Sequence, residues 1–171
     1  MLIYHPAQDI NHCVYRLLLI LEFSEHEKLS IDVYRMIDFY TLFPSLLKLI
    51  TPLPQSLSTL RKEFSNIPEP FESLRNIKRI LYELESFQST AIQNLIAKEL
   101  LSKEDFESGF LKRTEKGLLT SFMEQALSGR LVSERWFQIL INEFPKVKFA
   151  GRDGLKSRTG LMEYRYDMVK A

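Results

Sequence analysis

Apolar residues recur at helical spacing from the start of the chain. Val14, Leu17, Leu18 and Leu21 mark one stripe, and Leu19 and Ile20 widen it until most faces are apolar. The pattern predicts a buried helix over residues 11–23 with Asp9 as its cap. A second helix starts at Ser30, with Asp32 in its first turn. Val33, Ile37, Tyr40 and Phe43 follow three or four apart until Pro44 bends or ends it. Leu46, Leu47 and Ile50 continue that face briefly. Pro52 and Pro54 break the chain, as do Pro68 and Pro70 after a short helix around 57–64, because proline lacks the N–H that a helix interior needs.

From Phe71 the spacing changes register into two helices, 72–85 and 89–101, joined by a turn around Ser86. Residues 106–114 predict extended pieces about a turn at Gly109. A helix over 118–127 ends at Gly129, and one over 133–144 stops at Pro145. Residues 146–149 alternate as a strand does, 151–160 form a polar loop, and 162–169 alternate loosely enough for a second strand. Two helices with a tight turn, then short extended segments, predict a mainly α fold. It is a winged helix-turn-helix-like helical domain with a small C-terminal β-hairpin. The rival is an irregular all-helical domain with the same hairpin. One compact unit over 1–171 is expected, divided into an N-terminal helical half, 1–67, and a winged-helix-like half, 68–171.

Composition narrows the function classes without selecting one. The chain has 171 residues, 45% hydrophobic and 26% charged, with a net charge of +1, values ordinary for a soluble globular protein. Cys13 is the only cysteine, which excludes an internal disulfide and a Cys-rich zinc site and fits a reducing cytoplasm. The aliphatic run after Tyr15 is far shorter than the roughly 20 residues of a membrane span. The first residues lack the basic region of a secretory signal.

Candidate chemistry is sparse. His5, Asp9, His12 and Cys13 lie close together, but His12 and Cys13 are adjacent and point about 100° apart on a helix. A helical metal pair prefers positions three or four apart, so packing and capping are the favoured roles. Burial would raise the Cys13 thiol pKa rather than activate it. The Gly151–Ser157 stretch superficially looks like a phosphate-binding loop, yet only two residues separate Gly151 from Gly154, and Leu155 precedes Lys156. Glu104, Asp105 and Glu107 read as an exposed run. No catalytic residue, cofactor or metal site is expected.

Charge is concentrated at the C-terminal end. From Pro145 to Ala171 there are seven Lys or Arg and three Asp or Glu, a net +4. Lys146, Lys148, Arg152, Lys156, Arg158 and Arg165 therefore suit phosphates, a partner's acidic surface, or plain solvation of an edge. The helix over 89–101 offers a duplex only Gln93, Asn94 and Lys98, without an arginine for guanine.

Three segments carry a family likeness: Tyr4-His5-Pro6-Ala7 with His12; Asp38-Phe39-Tyr40 with Leu42-Phe43-Pro44; and the stretch from Gly154 to Asp167. On these the chain resembles the middle components of ABC-three-component systems, prokaryotic conflict loci that overlap the Lamassu antiphage systems. The resemblance implies a non-catalytic adaptor between an SMC/Rad50-like ABC ATPase and an effector subunit such as a nuclease, with DNA reached through the complex and no membrane. It also implies that Asp38, Phe39, Tyr40 and Phe43, or the basic tail, form the contact surfaces. A homodimeric winged-helix transcriptional regulator is the alternative, and a metal-dependent enzyme built from His5, His12 and acidic residues is a third reading.

Overall fold

The computed structural model describes residues 8–70, 74 and 76–162. Helix α1 (Ile10–Phe23) begins where the Asp9 carboxylate accepts from the N–H groups of Asn11 and His12, at 2.7 and 3.2 Å. That satisfies two donors that a helix start otherwise leaves open. Leu17 to Leu21 are all buried. Strand β1 (Lys28–Ser30) leads into helix α2 (Ile31–Leu42), where the Ser30 hydroxyl caps the Val33 N–H at 3.3 Å. Pro44 then opens a 3₁₀ turn (Pro44–Leu49), a position at which its missing N–H costs nothing. A second 3₁₀ turn (Gln55–Leu60) runs into α3 (Arg61–Ser65), which buries Phe64.

The two helices expected around Ser86 are one, α4 (Ile77–Ala97). Serine does not end a helix when its hydroxyl is satisfied inside it. Ser86 donates to Glu83 O at 3.0 Å, and Thr90 donates to Ser86 O at 3.0 Å. The buried stripe of Leu81, Leu84, Gln88, Ala91, Ile92 and Leu95 runs through the expected turn without a break and packs on α1.

The sheet also differs from expectation. Helix α5 (Lys103–Glu107) is followed by Gly109 in the left-handed region at φ 87° and by strand β2 (Phe110–Lys112). This strand pairs antiparallel with β1, setting Leu29 against Leu111, both buried. On its other side, Ser102 N–H donates to Lys112 O and Thr114 N–H to Leu100 O, at 3.0 and 3.3 Å, around a bridge between Leu101 and Arg113.

Helices α6 (Thr120–Ser128) and α7 (Arg135–Glu143) follow the expected positions closely. The hairpin strand expected at 146–149 is absent. Its carbonyls are used otherwise: Lys148 O and Phe149 O accept from the N–H groups of Leu155 and Lys156, at 2.9 and 3.0 Å. They thereby start α8 (Leu155–Thr159) inside what read as a polar loop. The expected partner strand falls, from residue 163 onward, outside the described residues.

One hydrophobic cluster runs from Leu17 to Met162 and takes in Phe137, Leu140, Ile141 and Phe144. Three hydrogen bonds tie the end of α1 to that of α7. Ser24 Oγ donates to Ile141 O at 3.2 Å, Glu25 N–H to Asn142 Oδ1 at 2.8 Å, and His26 Nε2 to Asn142 O at 2.8 Å. Among the described residues, no helix is long and apolar enough to cross a membrane.

Candidate functional site

The acidic and aromatic residues expected as contacts lie inside the molecule. Asp38 and Phe39 have no exposed surface, and Tyr40 and Phe43 are buried. Phe39 packs edge-on to Tyr40 at 5.6 Å and against Phe43 at 5.2 Å, and Tyr40 meets Phe144 at 6.0 Å. Asp38 accepts from Arg16 Nε at 2.6 Å, from Arg16 Nη2 at 3.2 Å and from Gln88 Nε2 at 2.9 Å. Burial works against the Arg16 charge, but the charge and hydrogen bonds of Asp38, with Cys13 and Tyr34 adding to them, hold the guanidinium pKa above its ordinary value.

Cys13 stands beside this network, its sulfur 3.9 Å from the Tyr34 hydroxyl. Burial first, and the Asp38 charge second, push the thiol pKa up to about 12. The same two causes raise that of Tyr34. Such a thiol is no nucleophile. His12 is exposed at the start of α1, and His5 lies outside the described residues. Among the described residues, no cluster of His, Cys, Asp and Glu is placed to hold a metal ion.

The cationic residues of the C-terminal segment fall into different environments. Lys146 pairs with Glu143 at 2.8 Å, while Lys148 and Arg152 are exposed. Lys156 is half-buried on α8. Arg158 points inward: Nε donates to Asp153 O at 2.7 Å and Nη1 to Pro52 O at 2.8 Å, which fastens α8 to the chain between the two 3₁₀ turns. Gly154 makes the turn possible, because a Cβ there would lie 2.5 Å from Ala150 O. The first N–H groups of α8 are already taken by Lys148 O and Phe149 O, so this loop does not cradle an anion with its backbone. Arg165 lies outside the described residues.

A broad concavity opens next to Phe43. This groove of about 850 Å³ is floored by Phe43, Pro44, Ile67, Pro68, Leu131 and Trp136. Glu63 and Arg135 face each other at 3.7 Å on its rim, and Arg130 lies 3.8 Å from Glu134. Its charges are therefore matched in pairs around an apolar floor. The indole N–H of half-buried Trp136 has no acceptor among the described residues. Sequence reasoning does not single out this groove. The available signals were the only tryptophan of the chain and the prolines at 44, 68 and 70, and neither says that three separate segments converge.

No curated protein and no solved structure matches the chain. A family model does, over residues 2–167 of 171. On that match the chain belongs to the family described as ABC-three component (ABC-3C) system Middle Component 5.

Proposed function

We propose that the chain is a non-catalytic accessory subunit that links an SMC/Rad50-like ABC ATPase to an effector of the nuclease type, in a cytoplasmic, Lamassu-like defence complex. Family membership supports the accessory role. The observation that carries the adaptor reading is the groove beside Phe43. It has an apolar floor, a charge-balanced rim and an available indole donor, which suit an apolar segment of a partner subunit better than they suit a reacting substrate. In this reading Phe43 belongs to the floor that a partner covers, and Asp38, Phe39 and Tyr40 support that floor from within the core. The exposed cations Lys148 and Arg152 form a second contact surface, and the whole chain acts as one unit.

A winged-helix ancestry is part of the same proposal. Its support is the order of elements, α1–β1–α2–α3–α4, then the extended residues 100–102, α5 and β2, with β2 lying between β1 and 100–102. The outward face of α4 carries Lys78, Arg79, Tyr82, Glu83, Thr90, Gln93 and Asn94, a mixture that favours protein over base contact.

Co-expression with the neighbouring genes tests the adaptor reading. The chain should co-purify with a large ATPase, and Leu131→Glu on the groove floor should break that association while leaving the fold intact. A sequence-specific footprint on its own promoter by a homodimer would replace the adaptor with the regulator.

A further inference from the structure

Across the described residues most Lys and Arg side chains lie within ion-pair distance of a carboxylate, those near the C-terminal segment among them. Lys48 pairs with Glu69, Arg135 with Glu63, Lys146 with Glu143 and Arg158 with Asp153. Arg61, Lys62, Lys98, Lys148 and Arg152 are exposed and, among the described residues, have no carboxylate within ion-pair distance. Lys98 stands alone at the end of α4. The other four belong to two segments that Arg158 stitches together through Pro52 O.

Contact between these segments can be followed residue by residue. Arg61 lines a cavity of about 230 Å³ together with Lys48 and Leu53. Leu53 adjoins Pro52, whose carbonyl receives Arg158, and Arg158 is anchored in turn on Asp153 O beside Arg152. The Lys148 ammonium lies over Gly151, next to Arg152. Among the described residues the carboxylates of Glu63, Glu69, Glu143 and Asp153 are each engaged, so Arg61, Lys62, Lys148 and Arg152 keep four unpaired positive charges along the strip formed by the two segments that Arg158 joins.

We propose that this strip binds the phosphate backbone of duplex nucleic acid without reading its sequence. The proposal rests on the second contact surface put forward above and narrows it, adding Arg61 and Lys62 and excluding Arg158 as a strut. A backbone is favoured over an acidic protein because the strip has no apolar centre. Among the described residues, Leu49 is the one large apolar side chain well exposed on these segments, and a single leucine does not make an interface core. Contacts of this kind position a protein on a duplex through charge alone.

The purified full chain is titrated against a fluorescent mixed-sequence DNA duplex, with anisotropy as readout. Four phosphate contacts at about 0.9 each give a log–log salt slope near −3.6, so affinity should fall roughly 150-fold between about 50 and about 200 mM salt. Arg61→Glu with Lys62→Glu, and Lys148→Glu with Arg152→Glu, should each weaken binding about tenfold or more and reduce the slope by roughly 1.8. Lys98→Glu should behave as the parent. If a reversal variant fails to fold by circular dichroism, the corresponding Gln pair takes its place. The proposal is overturned by absence of duplex binding at about 50 mM salt, by a slope near zero, or by parental affinity in both pairs. It is equally overturned if Lys98→Glu matches their loss, or if polyglutamate of equal charge competes as well as the duplex, which would assign the strip to an acidic protein. Lost duplex binding in a chain that still co-purifies with its ATPase rejects this contact alone. The reverse result rejects the adaptor alone.

Discussion

Arg16 of α1 and Asp38 of α2 form a two-bond ion pair inside the core, at 2.6 and 3.2 Å, and Gln88 of α4 closes on the same carboxylate. Three helices are thereby tied at one carboxylate, beside the contacts of Arg35 on α2 with Ser89 and Glu85 on α4. The pair is buried on both sides, with side-chain exposures of 7% and 0%. Removing one partner and removing both are consequently very different experiments.

Asp38→Ala strands a guanidinium in the core, at a cost of about 3–5 kcal/mol, and should lower Tm by on the order of 10 °C. The double change Arg16→Met with Asp38→Leu should recover most of that loss. Thermal unfolding of the three proteins decides the matter, and equal melting of Asp38→Ala and the parent would show that the pair stabilises nothing.

Cys13 should resist thiol reagents in the native protein and react only on unfolding. Its raised pKa also has a consequence for stability. Between the ordinary value of 9.0 and the folded value of about 12, the unfolded chain releases a proton that the folded chain retains. The stabilising contribution is complete below pH 9.0 and disappears as pH rises towards about 12. Buried Tyr34 and Tyr40, whose pKa values burial also raises, act in the same direction. Denaturant midpoints measured across this window should fall steeply, and less steeply in Cys13→Ala.

Trp136 is the only tryptophan, so its emission reports on the groove alone. Binding of the partner segment should shift that emission to the blue and protect it from acrylamide. A complex that forms with the emission unchanged would place the partner elsewhere.

Arg158 and Arg152 should separate structure from contact. Arg158→Glu breaks charge-assisted bonds to Pro52 O and Asp153 O and should cost about 1.5–3 kcal/mol. Arg152→Glu, on the open surface, should change stability by no more than about 0.5 kcal/mol. Urea titrations of both variants provide the comparison.

Gly154→Ala forces a methyl group against the Phe149 and Ala150 carbonyls, neither of which is a flexible side-chain end. Its φ of −78° is ordinary, so crowding alone acts. A loss of about 1–3 kcal/mol is expected, centred on α8, and hydrogen exchange at Leu155 and Lys156 should accelerate.

The local rules were legible in the chain. Asp9 and Ser30 cap α1 and α2 because a short polar side chain reaches only the next few N–H groups, and that reach is written in adjacent residues. Pro44 and Pro145 close α2 and α7 for an equally local reason. The family resemblance, too, was carried by short segments, and the family match covers all of them. Ser86 misled because a serine hydroxyl serves a turn or a helix equally well, and the continuous face of α1 decided for the helix.

The remainder depended on groups far apart in sequence. Lys28-Leu29-Ser30 is too short to show a strand period, and only Phe110-Leu111-Lys112 makes it one. Phe39-Tyr40 reads identically as surface or core until α7 and the Pro44 turn cover it. Asp38 reads as a contact until Arg16 neutralises it inside the core. The sequence alone determined the helical character, the caps of α1 and α2, the chain breaks and the family, while the Asn76 and Ser102 caps of α4 and α5 emerged only in the structure. The tertiary structure decided which charges are buried as pairs, which are left facing solvent, and where three separate segments enclose a groove. Capping and φ restriction act within a few residues, whereas burial and charge pairing require partners that only the folded chain brings together.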